Sequence, residues 1–99
     1  MITIHNLKTD KMIHPWDVLI DRRTVWGNPF PMKNKSLEER DRVCDKYDER
    51  IGWSFKYIQP LKKLKELYKE HGKLRLFCWC APLRCHGESI KRIVENEKT

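Results

Sequence analysis

The sequence predicts an α/β fold: a small Rossmann-like domain with elements in the order β-β-α-α-β-α and a short sheet packed by helices. Three observations predict it. Two short apolar runs open the chain, Ile2 to Leu7 and Trp16 to Ile20. Two segments with apolar residues at helical spacing follow. An alternating segment, Lys73 to Cys80, then leads into a third helical pattern. The length of 99 residues suits one core, so 1–99 reads as a single domain.

Each element has its own signal. Ile2 and Ile4 alternate with Thr3 and His5, as in a strand. Lys8 to His14 is polar and turn-like, and Trp16-Asp17-Val18-Leu19-Ile20 is nearly continuous in apolar character, as a buried strand is. Arg22 to Lys35 is dense in breakers and reads as loop. Ser36 and Glu39 form a capping-box pattern. Val43, Tyr47, Ile51, Phe55 and Ile58 then keep helical spacing, and Gly52 is expected to weaken this helix without ending it. Pro60 suits the first turn of the next helix, which Gly72 stops. Leu74, Leu76, Cys78 and Cys80 share one strand face, and Arg75, Phe77 and Trp79 the other. After Pro82 the chain is expected to turn, and a last helix begins near Cys85 or His86 with Ile90, Ile93 and Val94 inward.

The composition narrows the function classes. Charged residues make up 35% of the chain and hydrophobic ones 39%, yet four Trp, three Tyr and three Phe provide enough large side chains for a core. A net charge of +7 favours polyanionic partners, although a solvated lysine face on one helix accounts for part of it. No apolar run is long enough to span a membrane, and no signal peptide pattern opens the chain. A cytoplasmic location with reduced thiols is therefore expected.

Chemistry concentrates in Cys78-Trp79-Cys80-Ala81-Pro82-Leu83-Arg84-Cys85-His86-Gly87-Glu88. Cys78, Cys80, Cys85 and His86 have the donor types of a tetrahedral zinc site, but the paired ligands sit closer in sequence than in familiar zinc motifs. Catalysis is the second reading. A thiol at a helix start has its pKa lowered, so Cys85 is placed as a nucleophile, with His86 and Glu88 beside it to move protons. Gly87 would let an anion approach the helix amides. The third reading makes Cys78 core filler, Cys80 and Cys85 turn residues, and His86 a cap. Cys44, apart from the cluster, reads as helix core.

Val25-Trp26-Gly27-Asn28-Pro29-Phe30 is the other unusual segment. It reads as an ordinary turn with Phe30 tucked inward, or as a rigid loop presenting Asn28 with Arg22 or Arg23 to a ligand. If the strands are parallel, this loop and the cysteine turn share one sheet edge, where open α/β sheets bind ligands.

These segments together resemble the DUF4326 family, small domains of bacteriophages and bacteria without an assigned function. The resemblance rests on Trp16 to Arg22, Gly27-Asn28-Pro29-Phe30, Leu76 to Pro82 and Cys85-His86-Gly87-Glu88, and it covers almost the whole chain. The family pattern has Gly where this chain has Asp21 and Asp where it has Glu88. The resemblance implies that both loops matter and that a phage origin, hence a host cytoplasm, is plausible.

Three functions are carried forward. The first is nucleotide or nucleic-acid-related binding with catalysis left open: Arg22, Asn28, Phe30, Trp79 and Gly87 hold the ligand, and Cys85, His86 or Glu88 supplies any chemistry. The second is a binding module stabilised by zinc on Cys78, Cys80, Cys85 and His86, for which zinc is the expected cofactor. The third is an interaction protein that binds a host protein or nucleic acid through lysine-rich helix faces and exposed aromatics such as Trp26 or Trp53. For Trp53, core packing beside Ile51 and Phe55 is the stronger expectation.

Overall fold

A computed structural model describes residues 1–80 and 83–96. The turn expected at Pro82 lies outside the described residues. The elements are β1 (Ile2–Asn6), β2 (Asp17–Leu19), α1 (Leu37–Ile51), a 3-10 turn (Phe55–Tyr57), α2 (Ile58–His71), β3 (Leu74–Cys78) and α3 (Gly87–Glu95). The three strands form one parallel sheet in the order β1-β3-β2. The last strand in the chain is therefore the central one, which the order of elements along the chain does not convey.

The core lies between one sheet face and the helices. Leu74, Leu76 and Cys78 of β3 belong to one buried cluster with Tyr47 and Ile51 of α1, Leu64 of α2, and Ile90 and Val94 of α3. On the opposite face Phe77 is also fully buried, stacked on His5 at 5.2 Å with the Arg75 guanidinium 5.0 Å from its ring. Asp10, in the β1–β2 connection, closes over this face by pairing with both His5 and Arg75 at 2.8 Å.

Several boundaries differ from the sequence expectation. β2 and β3 are shorter, so Trp16, Ile20, Trp79 and Cys80 lie outside the strands. Gly52 ends α1 instead of merely weakening it. The chain restarts at Ser54, whose hydroxyl accepts from the Lys56 amide. This restart breaks the helical phase, leaving Phe55 and Ile58 exposed and Trp53 67% exposed rather than in the core. Trp26, named as a possible exposed aromatic, is only 6% exposed and belongs to the core.

The capping box is half-formed. Ser36 Oγ accepts from the Glu39 amide at 3.1 Å, but Asn34 occupies the Ser36 amide. The buried Glu39 carboxylate instead takes Arg42 and the Lys33 amide, and Arg42 holds its pKa down at about 2. Gly72 stops α2 with φ at 72°, the left-handed value that favours glycine.

Candidate functional site

Because all three strands are parallel, the segments following β2 and β3 emerge at the same edge. They enclose a cleft of about 360 Å³. Arg22, Asn28, Phe30, Cys78, Trp79, Cys80, Cys85 and His86 all line it. Arg40, Val43 and Cys44 of α1 complete the wall. Two residues singled out in the sequence, Gly87 and Glu88, are not among the lining residues.

Asp21 joins the two loops. Its carboxylate accepts from the Arg23 amide and Nε, both at 2.9 Å, and from Trp79 Nε1 at 3.1 Å. Arg23, followed by burial acting in the opposite direction, sets its net pKa at about 2. Asp21 therefore holds the Trp79 indole in place. Trp79 itself remains 49% exposed.

The Gly27 turn lies directly on the first loop. A Cβ at Gly27 would come within 2.5 Å of Arg22 Cα, so only glycine permits this approach. Asn28 then fixes the loop to α1: Nδ2 donates to the Val43 carbonyl at 3.1 Å, and Oδ1 accepts from the Phe30 amide at 2.9 Å. The expected ligand-orienting carboxamide thus has a structural partner at each end. Phe30 is half-buried, with Lys46 and Arg50 near its ring.

An aromatic stack lies behind the cleft. His86 meets the edge of Tyr47 at 5.0 Å, Tyr47 meets Tyr57 at 6.0 Å, and Tyr57 stacks with Trp26 at 6.2 Å. Tyr47 Oη donates to the Trp26 carbonyl at 2.8 Å. Burial raises the Tyr47 pKa, keeping its hydroxyl protonated as a donor.

The start of α3 already has partners from the protein. Glu88 reaches back to accept from the Cys85 amide at 3.2 Å, and the Gly87 amide points at Cys85 Sγ at 3.4 Å. Gly87 is small because Ile20 Cδ1 would lie 2.7 Å from a Cβ there. The expected anion seat on the helix amides is therefore occupied by the chain's own groups. Glu88 acts as a cap, with its side chain committed to that amide.

The sulfurs redistribute charge in a way that spacing alone does not indicate. The Cys78 and Cys85 thiols and the Arg40 guanidinium all donate toward Cys80 Sγ, holding the Cys80 pKa well below the usual thiol range. Cys85 is 2% exposed, and its contacts with Cys78 and Cys80, together with burial, push its pKa up. Thiolate character therefore falls on half-buried Cys80 instead of Cys85, where the helix-start argument placed it. Burial lowers the His86 pKa and keeps its ring neutral. Its Nε2 faces the Ile20 carbonyl at 2.5 Å, and that acceptor requires the proton on Nε2. Nδ1 then carries the lone pair, 3.7 Å from Cys85 Sγ.

This arrangement departs from the four-ligand zinc expectation. Among the described residues no group of three or more His, Cys, Asp and Glu is arranged to hold a metal ion. The His86 ring is turned by the Ile20 carbonyl so that its lone pair meets Cys85 itself. Cys44 is buried in α1 as expected, but its thiol also reaches the cleft wall and the Arg84 carbonyl at 3.9 Å. Sequence reading did not single out Arg40 as a site residue, because its proximity to Cys80 arises only when α1 packs beside the exit of β3.

No helix among the described residues is long and apolar enough to cross a membrane. Over 62 residues the chain is 27% identical to two dermonecrotic toxins of Sicarius peruensis, SpeSicTox-betaIB1a and SpeSicTox-betaIB1b. That match takes in 63% of this chain but 22% of each toxin, so the chain spans about a fifth of those relatives' length. No solved structure matches. The sequence profile of DUF4326, a domain of unknown function, matches residues 4–96, and with the two loops now seen to build one cleft, the chain belongs to the DUF4326 family.

Proposed function

We propose that the cleft binds a small anionic ligand of the nucleotide class, making Rossmann-like use of the carboxyl edge of the sheet. One observation carries this reading: two guanidinium groups without a carboxylate partner among the described residues share the cleft with two accessible aromatic rings. Arg22 is exposed on the rim, and Arg40, whose guanidinium lies beside Cys80 Sγ and the Arg84 carbonyl, keeps a buried Nε without a hydrogen-bond partner among the described residues. By contrast, Asp21 neutralises Arg23, while Asp41 and Asp45 neutralise Arg84. Phosphate or carboxylate oxygens would pair with the Arg22 fork, Arg40 would add positive charge behind them, and Phe30 or Trp79 would stack on a ring. The cavity volume falls within the range of small-molecule sites, about 300–1,000 Å³.

The test is calorimetric titration with nucleoside mono- and diphosphates, their unphosphorylated nucleosides and inorganic phosphate. Phosphorylated ligands should bind and quench Trp79 fluorescence. Arg22→Gln should weaken them about tenfold or more, the effect of losing one charge-assisted contact. Equal affinity for nucleoside and nucleotide, or no binding at millimolar concentration, sinks the reading.

A further inference from the structure

We propose that Cys80 and Cys85 form a thiol–disulfide exchange site, in which Cys80 attacks a disulfide substrate entering the cleft and Cys85 then closes a Cys80–Cys85 disulfide. The argument begins with accessibility. Among the three clustered sulfurs, Cys80 is half-buried on the cleft wall, whereas Cys78 and Cys85 are 1% and 2% exposed. An incoming molecule therefore meets Cys80 first. The Arg40 guanidinium beside it supports the sulfur as an anion, the attacking form.

What surrounds Cys80 sets the type of chemistry. Cys78 and Cys85 line the same cleft as Cys80 and their thiols point toward its sulfur, so a group captured on Cys80 has a second sulfur nearby to displace it. Cys85 suits that second role because a base stands next to it. The His86 tautomer set by the Ile20 carbonyl leaves the Nδ1 lone pair 3.7 Å from Cys85 Sγ. The Gly87 amide, 3.4 Å from the same sulfur, stabilises the negative charge as the proton leaves. Burial of Cys85 is no obstacle, since its target is internal. The depressed Cys80 pKa and raised Cys85 pKa agree with this division of labour.

The steps balance. The Cys80 thiolate attacks one sulfur of R–S–S–R′, forming Cys80–S–S–R and releasing R′S⁻. Cys85 gives its proton to His86 Nδ1 and attacks Cys80 Sγ, forming the intramolecular disulfide and expelling RS⁻. His86 returns the proton to RS⁻. The two cysteines lose two electrons, and the substrate disulfide gains them. The substrate class is a small or peptide disulfide, and the reaction does not depend on the nucleotide reading.

Fully reduced protein is mixed with the aromatic disulfide 5,5′-dithiobis(2-nitrobenzoate), and the products are mapped by mass spectrometry. Wild type should release two thionitrobenzoates in quick succession and end with Cys80 linked to Cys85. Cys85→Ser should stop at a stable adduct on Cys80. Cys80→Ser should slow the fast release about tenfold or more. His86→Gln, whose amide can still donate to the Ile20 carbonyl from the Nε2 position but offers no base at Nδ1, should leave the first step unchanged and slow the second about tenfold. Mapping of unmutated protein decides the matter even if a variant misfolds. First labelling of Cys44, Cys78 or Cys85 overturns the proposal, as does a Cys78–Cys80 link. Stoichiometric zinc that blocks the thiols until a chelator removes it also overturns the proposal.

Discussion

Gly27→Ala is the sharpest perturbation of the loop pair that builds the cleft. A Cβ there would lie 2.5 Å from Arg22 Cα, 2.7 Å from the Asp21 carbonyl oxygen and 2.9 Å from the Arg22 amide nitrogen. All three are backbone atoms, so no side chain can rotate away. The backbone they belong to is itself anchored: the Asp21 carbonyl accepts from the Thr24 amide at 3.1 Å, and the Ile20 amide donates to the Phe77 carbonyl at 3.0 Å. Overpacking that side chains can absorb costs about 1–3 kcal/mol. Here the backbone must move, and the expected loss is about 3 kcal/mol or more, a large part of the roughly 5–10 kcal/mol typical of a domain this size. Gly52→Ala is the control. Its nearest atom would be the Glu49 carbonyl oxygen at 3.5 Å and its φ is −77°, so alanine fits and should be neutral or stabilising by up to about 1 kcal/mol. Urea denaturation followed by tryptophan fluorescence gives both values. Because the Arg22 backbone packs directly on Gly27, replacing that glycine should also weaken ligand binding in the cleft. A Gly27→Ala variant within about 1 kcal/mol of wild type would refute the close-approach reasoning. So would a Gly52→Ala variant that is equally damaged.

The two stacked tyrosines should respond oppositely to removal of their hydroxyls. Tyr47→Phe leaves the Trp26 carbonyl without its donor and should destabilise the fold by about 1–2 kcal/mol. The Tyr57 hydroxyl is buried without a hydrogen-bond partner among the described residues, so Tyr57→Phe should be neutral or stabilising; a loss as large as that of Tyr47→Phe in the same urea assay would contradict this. Stability should also fall on acidification in two stages. His86 has a pKa below its ordinary 6.5, so its contribution is complete above that pH and declines as pH falls below it. Asp21 and Glu39, both held at about 2 in the fold, contribute fully above about pH 4 and lose that contribution as pH falls toward 2. The Asp21 share is about 1–2 kcal/mol, since Arg23 is largely exposed and solvent screens the pair. Asp21→Asn should therefore flatten the lower stage of a stability-versus-pH curve, and an unchanged slope there would count against the Asp21–Arg23 assignment.

Much of this architecture was legible because it is local. Alternation within Ile2 to Leu7 and Lys73 to Cys80 marks strands that the structure places at Ile2–Asn6 and Leu74–Cys78, and the two breaker-rich loops stand out by composition. The errors have local causes too. The apolar spacing through Phe55 and Ile58 stays in phase with α1 on paper, but Gly52 and the Ser54 cap reset the chain, turning Trp53 and Phe55 outward. At Ser36 the expected reciprocal cap lost Glu39 to Arg42 and the Lys33 amide, because charged and backbone donors compete for the same carboxylate.

The sequence by itself determined which residue types could do chemistry, and that the loops after β2 and β3 would share an edge if the strands were parallel. It could not assign roles within the cysteine cluster. Thiol acidity depends on neighbours within a few ångströms, and a decisive one for Cys80, Arg40 of α1, is remote in sequence; the Ile20 carbonyl, from the loop after β2, likewise sets the His86 tautomer from a distance in sequence. Only the packing of α1 and β3 around that edge moved the anionic sulfur from Cys85 to Cys80. The same packing turned Glu88 from an expected proton carrier into a helix cap.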